Sequence, residues 1–239
     1  ILIITTKKDL ILFKELLGNG EDLGIKISYE IQEFPNGLAE AFIIGEKFIG
    51  DSAPVLILGD NIFHGGGLVK LLRKAIQIEN SASVFSYKVE DPFRYGIINL
   101  DKDKKPLSIE EKPKNPCSDQ AITGIYFYDN TVIEKAKTIS PSPSGELEIT
   151  SINNLYLKEK KLNVFQMSRG IAWLDTGTID SLHEAGSFIR TIEKRQGLMV
   201  GSPEEVAWRN NWIDNEKLSA LASKTIHTDY GKKLKKLLN

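Results

Sequence analysis

The sequence predicts an α/β fold built on a doubly wound, mostly parallel sheet, with a mixed or antiparallel insertion and a helical C-terminal tail. Three observations carry this. Through the first 90 residues, apolar β-branched runs alternate with helix-like stretches, the rhythm of strands joined by right-handed crossovers. Between residues 95 and 128, three strand-like runs follow one another with only turn clusters between them. From Thr178 onward nearly every segment has helical spacing.

Taken in order, Ile1–Thr5 reads as a β-branched strand and Lys8–Leu17 as a helix, broken by Gly18, Gly20 and Gly24. Ile25–Gln32 alternates like a strand, Pro35-Asn36-Gly37 is a turn signal, and Leu38–Ile49 is an apolar-rich helix. Val55–Leu58 reads as a strand buried on both faces, as in a parallel sheet covered by helices. Leu68–Ile78 follows as a helix and Ala82–Tyr87 as a strand. Tyr95–Leu100, Leu107–Glu110 and Ala121–Tyr128 form the antiparallel or mixed excursion. Thr131–Thr138 and Leu147–Lys158 read as helices, Leu162–Met167 as a strand, and Ile171–Leu174 as a short apolar run ending in Asp175-Thr176-Gly177. The tail holds Ile179–Gln196, Glu204–Trp208, Asn215–Ala222 and Tyr230–Leu238, suited to covering a sheet face or building a subunit interface. Residues 1–239 are read as one domain in three parts, 1–90, 91–177 and 178–239, with a Rossmann-like sheet at its centre. A core strand at residue 1 needs neighbours, and reaching a parallel one takes a crossover of roughly 30 residues. The domain is therefore expected to be N-terminally incomplete.

Composition narrows the function. The chain is 41% hydrophobic and 26% charged with a net charge of −1, which offers no basic field for nucleic acid or an anionic membrane. A bound phosphate would have to meet local lysines or a metal. The single Cys117 rules out an internal disulfide and suits a reducing cytoplasm. No apolar run approaches the roughly 18 residues of a membrane span.

Val55–Leu58 leads straight into Gly59, Asp60 and Asn61. Ligands of open α/β sheets bind just beyond the carboxyl ends of strands. Asp60 thus stands either where a ligand or metal is met, or in a turn that needs Gly and Asp. Asp175 repeats the pattern, LILGDN against AWLDTG. In a parallel sheet both acids would emerge at one edge and could share Mg2+, which takes one or two protein carboxylates. Asp175 equally suits a helix N-cap. Between them, Ser108-Ile109-Glu110-Glu111-Lys112-Pro113 offers Lys112 as a point charge for phosphate and Glu111 as an acceptor for sugar hydroxyls. The same text fits a charge cluster ending an edge strand. Gly96 and Gly124 either let a ring approach the backbone or mark bulges. Gly65-Gly66-Gly67 has neither P-loop nor dinucleotide spacing and reads as a flexible loop. His64, His183 and His227 lack metal-ligand spacing, and no nucleophile elbow is present.

The blocks IQEFPNGLAEAFIIGEKFIG, LILGDNIFHG, DPFRYGIINL, SIEEKP, AITGIYFYD, SGELEIT, RGIAWLDTGT and EKRQGLMVGSPEEVAWR together resemble the bacterial glucose-1-phosphate thymidylyltransferase family. The similarity runs in order over essentially the whole chain. EEKP recurs across related sugar nucleotidylyltransferases, whereas GELEIT and the tail point to the thymidylyl branch. The resemblance implies that dTTP and glucose 1-phosphate give dTDP-glucose and pyrophosphate, a precursor of dTDP-rhamnose and lipopolysaccharide, by in-line attack on the α-phosphorus. It implies Mg2+ on Asp60 and Asp175, with Lys112 on the sugar phosphate. Gly96, Glu111, Trp173 and the backbone of Ile122 would line the glucose pocket, and Gln32 and Gly37 would meet the pyrimidine. On that reading 1–90 belongs to the nucleotide and 91–177 to the sugar phosphate, while 178–239 serves the oligomer. A homotetramer is implied, inhibited by its dTDP-sugar end product at a second site near Phe63–Gly67 and Ser202–Arg209.

Departures are expected to matter. The family's Gly-rich GTR loop and the lysine segment after it find no match here, and Glu40 stands where Gln is usual. The alternatives are a truncated, non-catalytic homologue that binds nucleotide-sugar or joins intact subunits, and a UTP-using relative. A metal-dependent glycosyltransferase fits less well, because Asp60 is followed by Asn61 and not by a second spaced acid. A polypeptide limited to these residues is expected to form no dTDP-glucose, which a pyrophosphate-release assay on the purified chain would overturn by recording turnover.

Overall fold

Strands and helices alternate along the chain much as the residue pattern requires. The computed structural model describes residues 1–238. Their elements are β1 (Leu2–Thr5), α1 (Leu10–Leu17), β2 (Ser28–Ile31), α2 (Glu40–Ile44), α3 (Glu46–Ile49), β3 (Val55–Ile57), β4 (Asn61–Gly65), α4 (Leu68–Ala75) and β5 (Ala82–Lys88). They continue with β6 (Gly96–Leu100), β7 (Pro106–Glu111), β8 (Gln120–Phe127), α5 (Val132–Thr138), α6 (Ile149–Lys158), β9 (Leu162–Gln166) and β10 (Ile171–Asp175). Four helices close the chain: α7 (Ile179–Gln196), α8 (Pro203–Arg209), α9 (Asn215–Lys224) and α10 (Asp229–Lys236). None of the described helices is long and apolar enough to cross a membrane.

Two compact units divide these elements, one of Ile1–Glu33 with His183–Asn239 and one of Phe34–Leu182. The tail and the first strands thus share a unit. In the first unit β1 and β2 pair in parallel. The tail helices start where side chains satisfy their free N–H groups: Ser202 accepts from Glu205, Asp214 from Lys217 and Thr228 from Gly231. Their apolar faces bury Ala207, Ile213, Leu218, Leu221 and Leu234 around a small core that Leu23 joins. Asp22 ties the two ends of the sequence together, with Lys217 at 2.6 Å and Lys224 at 3.0 Å.

In the second unit β8 is the central strand. It pairs antiparallel with β5 on one side, and on the other with β3 near one end and β6 near the other. β6 continues antiparallel to β7, and β5 pairs in parallel with β9. The α/β class holds, with the sheet mixed in this unit. One face buries Val84, Ile98, Ile122 and Tyr126 against α5 and α6. The other buries Phe85 and Ile125 against Leu71, Leu72 and Ala75 of α4. Two polar contacts anchor α6 in the core: Asn153 Oδ1 accepts the Tyr128 hydroxyl at 2.6 Å, and Tyr156 donates to Asp129 at 2.6 Å.

Three local expectations change. The apolar run at 55–58 is not buried on both faces and not in a parallel ladder. It pairs antiparallel with β8, Leu56 and Leu58 pack on the core, and Val55 and Ile57 are 44% and 60% exposed. Residues 61–65 are a strand rather than the start of a loop, because they pair antiparallel with β10 from Asn61–Asp175 to Gly65–Ile171. The helix expected over 38–49 is divided at Gly45, whose missing side chain lowers helix propensity. Because β3 packs through alternate residues, Leu56→Ala should cost about 2 kcal/mol of stability. Ile57→Ser should stay within about 0.5 kcal/mol, as urea unfolding of the two variants would measure.

Candidate active site

The site starts at the turn that carries the chain from β3 into β4. The Leu58 N–H bonds the carbonyl of Gly124 on β8 at 2.9 Å, and the Asn61 N–H returns to the Leu58 carbonyl at 3.2 Å. That turn delivers Asp60 to the end of β4, directly beside the end of β10. Both the N–H and the hydroxyl of Thr176 then donate to the Asp60 carbonyl, at 2.9 and 2.8 Å. Asp60 and Asp175 consequently flank Gly177. A Cβ placed on Gly177 would stand 3.0 Å from Oδ1 of Asp175 and 3.9 Å from Oδ2 of Asp60. The two acids meet, as expected, but through an antiparallel ladder and a turn rather than at the edge of a parallel sheet.

One oxygen of each carboxylate is already held. Asn61 Nδ2 donates to Asp60 Oδ1 at 2.8 Å, and the Gly177 N–H donates to Asp175 Oδ1 at 2.9 Å. The second oxygen of each makes no hydrogen bond among the described residues. Asp60 is exposed and Asp175 half-buried. No group of three or more His, Cys, Asp or Glu side chains among the described residues could hold a metal. Two carboxylates, each with one oxygen left over, are a donor set that fits a small hard cation completed by water and phosphate, such as Mg2+. The Asp175 Oδ1 contact is an Asx turn to Gly177 rather than a cap on α7. Ahead of that helix, Thr178 and Ser181 bond each other.

The second cluster lies across β6, β7 and α6. Gly96 on β6 faces Glu111 on β7, and Thr150 in the first turn of α6 donates to Glu111 Oε2 at 2.5 Å. A Cβ on Gly96 would come to 3.1 Å from both the Glu111 carboxylate and the Thr150 hydroxyl, so glycine leaves this carboxylate open from the backbone side. Burial pushes the Glu111 carboxyl up from its ordinary range; the Thr150 hydrogen bond opposes this, and the nearby Glu148 charge reinforces it. Lys112 follows with φ +42°, its N–H on the Tyr95 carbonyl at 3.0 Å and its side chain exposed and without an ion pair among the described residues.

Aromatic packing joins the clusters. Trp173 is 9% exposed, lies on Tyr95 with ring centroids 5.0 Å apart, and donates its indole N–H to Asn61 Oδ1 at 2.6 Å. Tyr126 is buried between the two ends, and its hydroxyl is pushed up chiefly by burial, then by the charges of Glu111 and Asp60. A surface groove of about 560 Å³ lined by Pro92, Asn99, Cys117 and Gln166 contains none of these residues. The site is defined by its convergent polar groups.

The remaining residues singled out in the sequence fall as follows. The backbone of Ile122 on β8 pairs with Ser86 just before an irregularity in the ladder, while its side chain is core. Gly37 has φ +105°, and any side chain would run into the backbone of Leu147, 2.5 Å from its carbonyl. It is therefore glycine for a close chain crossing. Gln32 is half-buried just past β2 in the first unit, its N–H on the Thr5 carbonyl at 3.0 Å. Glu40 accepts from Asn36 Nδ2 at 2.8 Å. Phe63 lies in β4, and Ser202 and Arg209 are engaged within α8, the latter on Glu205 at 2.7 Å. Sequence reasoning missed Asn61 and Thr150 as site residues. Both stand beside residues it did find.

Residues 1–192 match the family model described as nucleotidyl transferase. A glucose-1-phosphate thymidylyltransferase of Neisseria meningitidis is 49% identical over 238 residues, covering all of this chain and 83% of its own length. The chain belongs to the glucose-1-phosphate thymidylyltransferase family. A Mycolicibacterium smegmatis enzyme of that family is also 49% identical over the whole chain. Among solved structures, a Bacillus anthracis protein assigned to the same family, in complex with a sucrose, superposes with a TM-score of 0.74 at 38% identity. That match covers 86% of this chain and 79% of the other. A UDP-glucose pyrophosphorylase complexed with UDP-glucose shares the fold, with a TM-score of 0.69 at 21% identity and 80% of each chain covered.

Glu111 yields a pH-dependent stability. Its raised pKa means that folding opposes ionisation, so the native state loses stability as pH rises from the ordinary carboxylate range through the elevated value. Glu111→Gln should therefore melt above the parent at pH 7, with the advantage shrinking toward pH 4.5, in thermal melts followed by circular dichroism.

Proposed function

We propose that the protein transfers a thymidylyl group from dTTP to glucose 1-phosphate, forming dTDP-glucose and releasing pyrophosphate. The observation that carries the reading is the pairing of Asp60 and Asp175 around Gly177, linked through Asn61, Trp173 and Tyr95 to Gly96, Glu111 and Lys112. The names of the relatives at 49% identity support dTTP over UTP as the donor.

In this reading a phosphate oxygen of glucose 1-phosphate attacks the α-phosphorus, and the bond from that phosphorus to pyrophosphate breaks. Glu111 accepts from glucose hydroxyls, the glycine at 96 and the backbone at Ile122 let the sugar lie close to the sheet, and Trp173 walls the pocket. The exposed ammonium of Lys112 meets the sugar phosphate. The amide of Gln32 offers the paired donor and acceptor that a pyrimidine edge takes. Asp60 and Asp175 would hold Mg2+, whose contribution when bound is to neutralise phosphate charge in a transfer that depends on positioning and electrostatics.

The exposed thiol of Cys117 suits a reducing cytoplasm. Exposed apolar residues on α1, with Leu12 at 60% and Leu16 at 79%, support a subunit contact of the kind a homotetramer needs. In a form of the protein that turns over dTTP, Asp60→Asn and Asp175→Asn should each lower Mg2+-dependent dTDP-glucose formation by at least about 100-fold. Near-parental rates in either variant, measured by pyrophosphate release, would defeat the assignment.

A further inference from the structure

The side chain of Asn61 makes more directed contacts than any other group near the paired acids. Its Oδ1 accepts the Trp173 indole N–H at 2.6 Å and the Gly124 backbone N–H at 3.0 Å, while its Nδ2 donates to Asp60 Oδ1 at 2.8 Å. An amide can do this because it carries an acceptor and donors on one rigid plane. With both lone pairs of the oxygen used, the plane cannot turn, and the N–H direction toward Asp60 is set.

Two features of β8 make the arrangement possible. Between the pairs Val84–Tyr126 and Ser86–Ile122 the ladder slips, so that residues 123–125 stand opposite Phe85 alone. Gly124 lies in that irregular stretch, on the side of β8 that faces β3, and beyond the last β3 pair its N–H bonds the Asn61 side chain. Gly124 also leaves the space the amide fills, since a Cβ there would be 2.5 Å from Asn61 Oδ1 and 2.9 Å from Leu58 Cβ. The Gly124 peptide units thus grip the turn at both ends, accepting from Leu58 and donating to Asn61.

We propose that Asn61 is a positioning residue that fixes the Asp60 carboxylate for its cation and ties that carboxylate mechanically to Trp173. The inference rests on the cation-binding reading of Asp60 and Asp175 and deepens it. Asn61 need touch neither metal nor nucleotide. It holds one Asp60 oxygen so that the other keeps a single direction, and a shift of Trp173 would be felt at the carboxylate through the one amide that bonds both.

The test is Mn2+ binding, read by electron paramagnetic resonance on the full chain without turnover. Asp60→Asn should abolish the site, and its failure to do so would overturn the cation reading itself. With that control met, Asn61→Ala should weaken Mn2+ by about 10- to 100-fold, the usual effect of losing a partner behind a ligand. Gly124→Ala, which pushes the amide aside without altering Asp60 or Asn61, should act in the same direction. A role confined to closing the loop would lower the melting temperature of both variants and leave the Mn2+ Kd of the folded molecules unchanged, and that result overturns the proposal. A measurement needing no substitution stands beside these: Mg2+ added to the unmodified chain should shift the Trp173 indole N–H resonance and leave those of Trp208 and Trp212 in place. An unmoved Trp173 signal counts against the coupling.

Discussion

The placing of Asp60 beside Asp175 depends on a glycine in the central strand of the second unit, Gly124 of β8. β8 carries ladders on both sides, and where the β3 ladder ends its backbone groups still need partners. At Gly124 they find them in the turn after β3, through the Leu58 N–H and the Asn61 side chain. The turn is thereby seated on the sheet, β4 leaves it in one direction only, and β10 follows β4 residue by residue. Asp60, Asp175 and Trp173 all take their places from that sequence of constraints.

The second cluster is organised by α6. Its first turn meets β7 through the Thr150–Glu111 hydrogen bond, and its body is pinned beneath the sheet by the buried amide of Asn153 and the hydroxyl of Tyr156. A partly buried acid is costly to ionise, and the Thr150 hydroxyl on Glu111 offsets part of that cost. Burial above all, with the negative charges of Glu148 and Glu146 added to it, works against ionisation, so Thr150 and Lys112 do not restore an ordinary acidity.

Much of this was legible in the residues. Period and composition located nearly every strand and helix, and the rule that ligands gather beyond strand ends picked out Asp60 and Asp175. What stayed hidden was long-range. Asn61 beside an acid reads as turn chemistry, and its partners lie 63 and 112 residues away along the chain. Four apolar residues at 55–58 do not reveal that only alternate ones pack. The strand at 61–65 is masked by polar ends and by the glycines after it, and only its pairing with β10 makes it a strand. Resemblance to known blocks supplied roles for Gln32, Gly37 and Ile122 that spacing alone does not carry.

The exposed face of β3 bears on how the protein behaves outside its site. An edge strand with Val55 and Ile57 turned to water is a template on which another chain can add a strand, the first step toward insoluble assemblies. Its defence is brevity. Pro54 stands before the strand and the Gly59-Asp60 turn after it, so only three residues can offer ladder bonds, too few to hold a foreign strand in register. The turn that presents Asp60 beside Asp175 is also what keeps this edge short, so colloidal behaviour and the geometry of the candidate site are set by the same few residues.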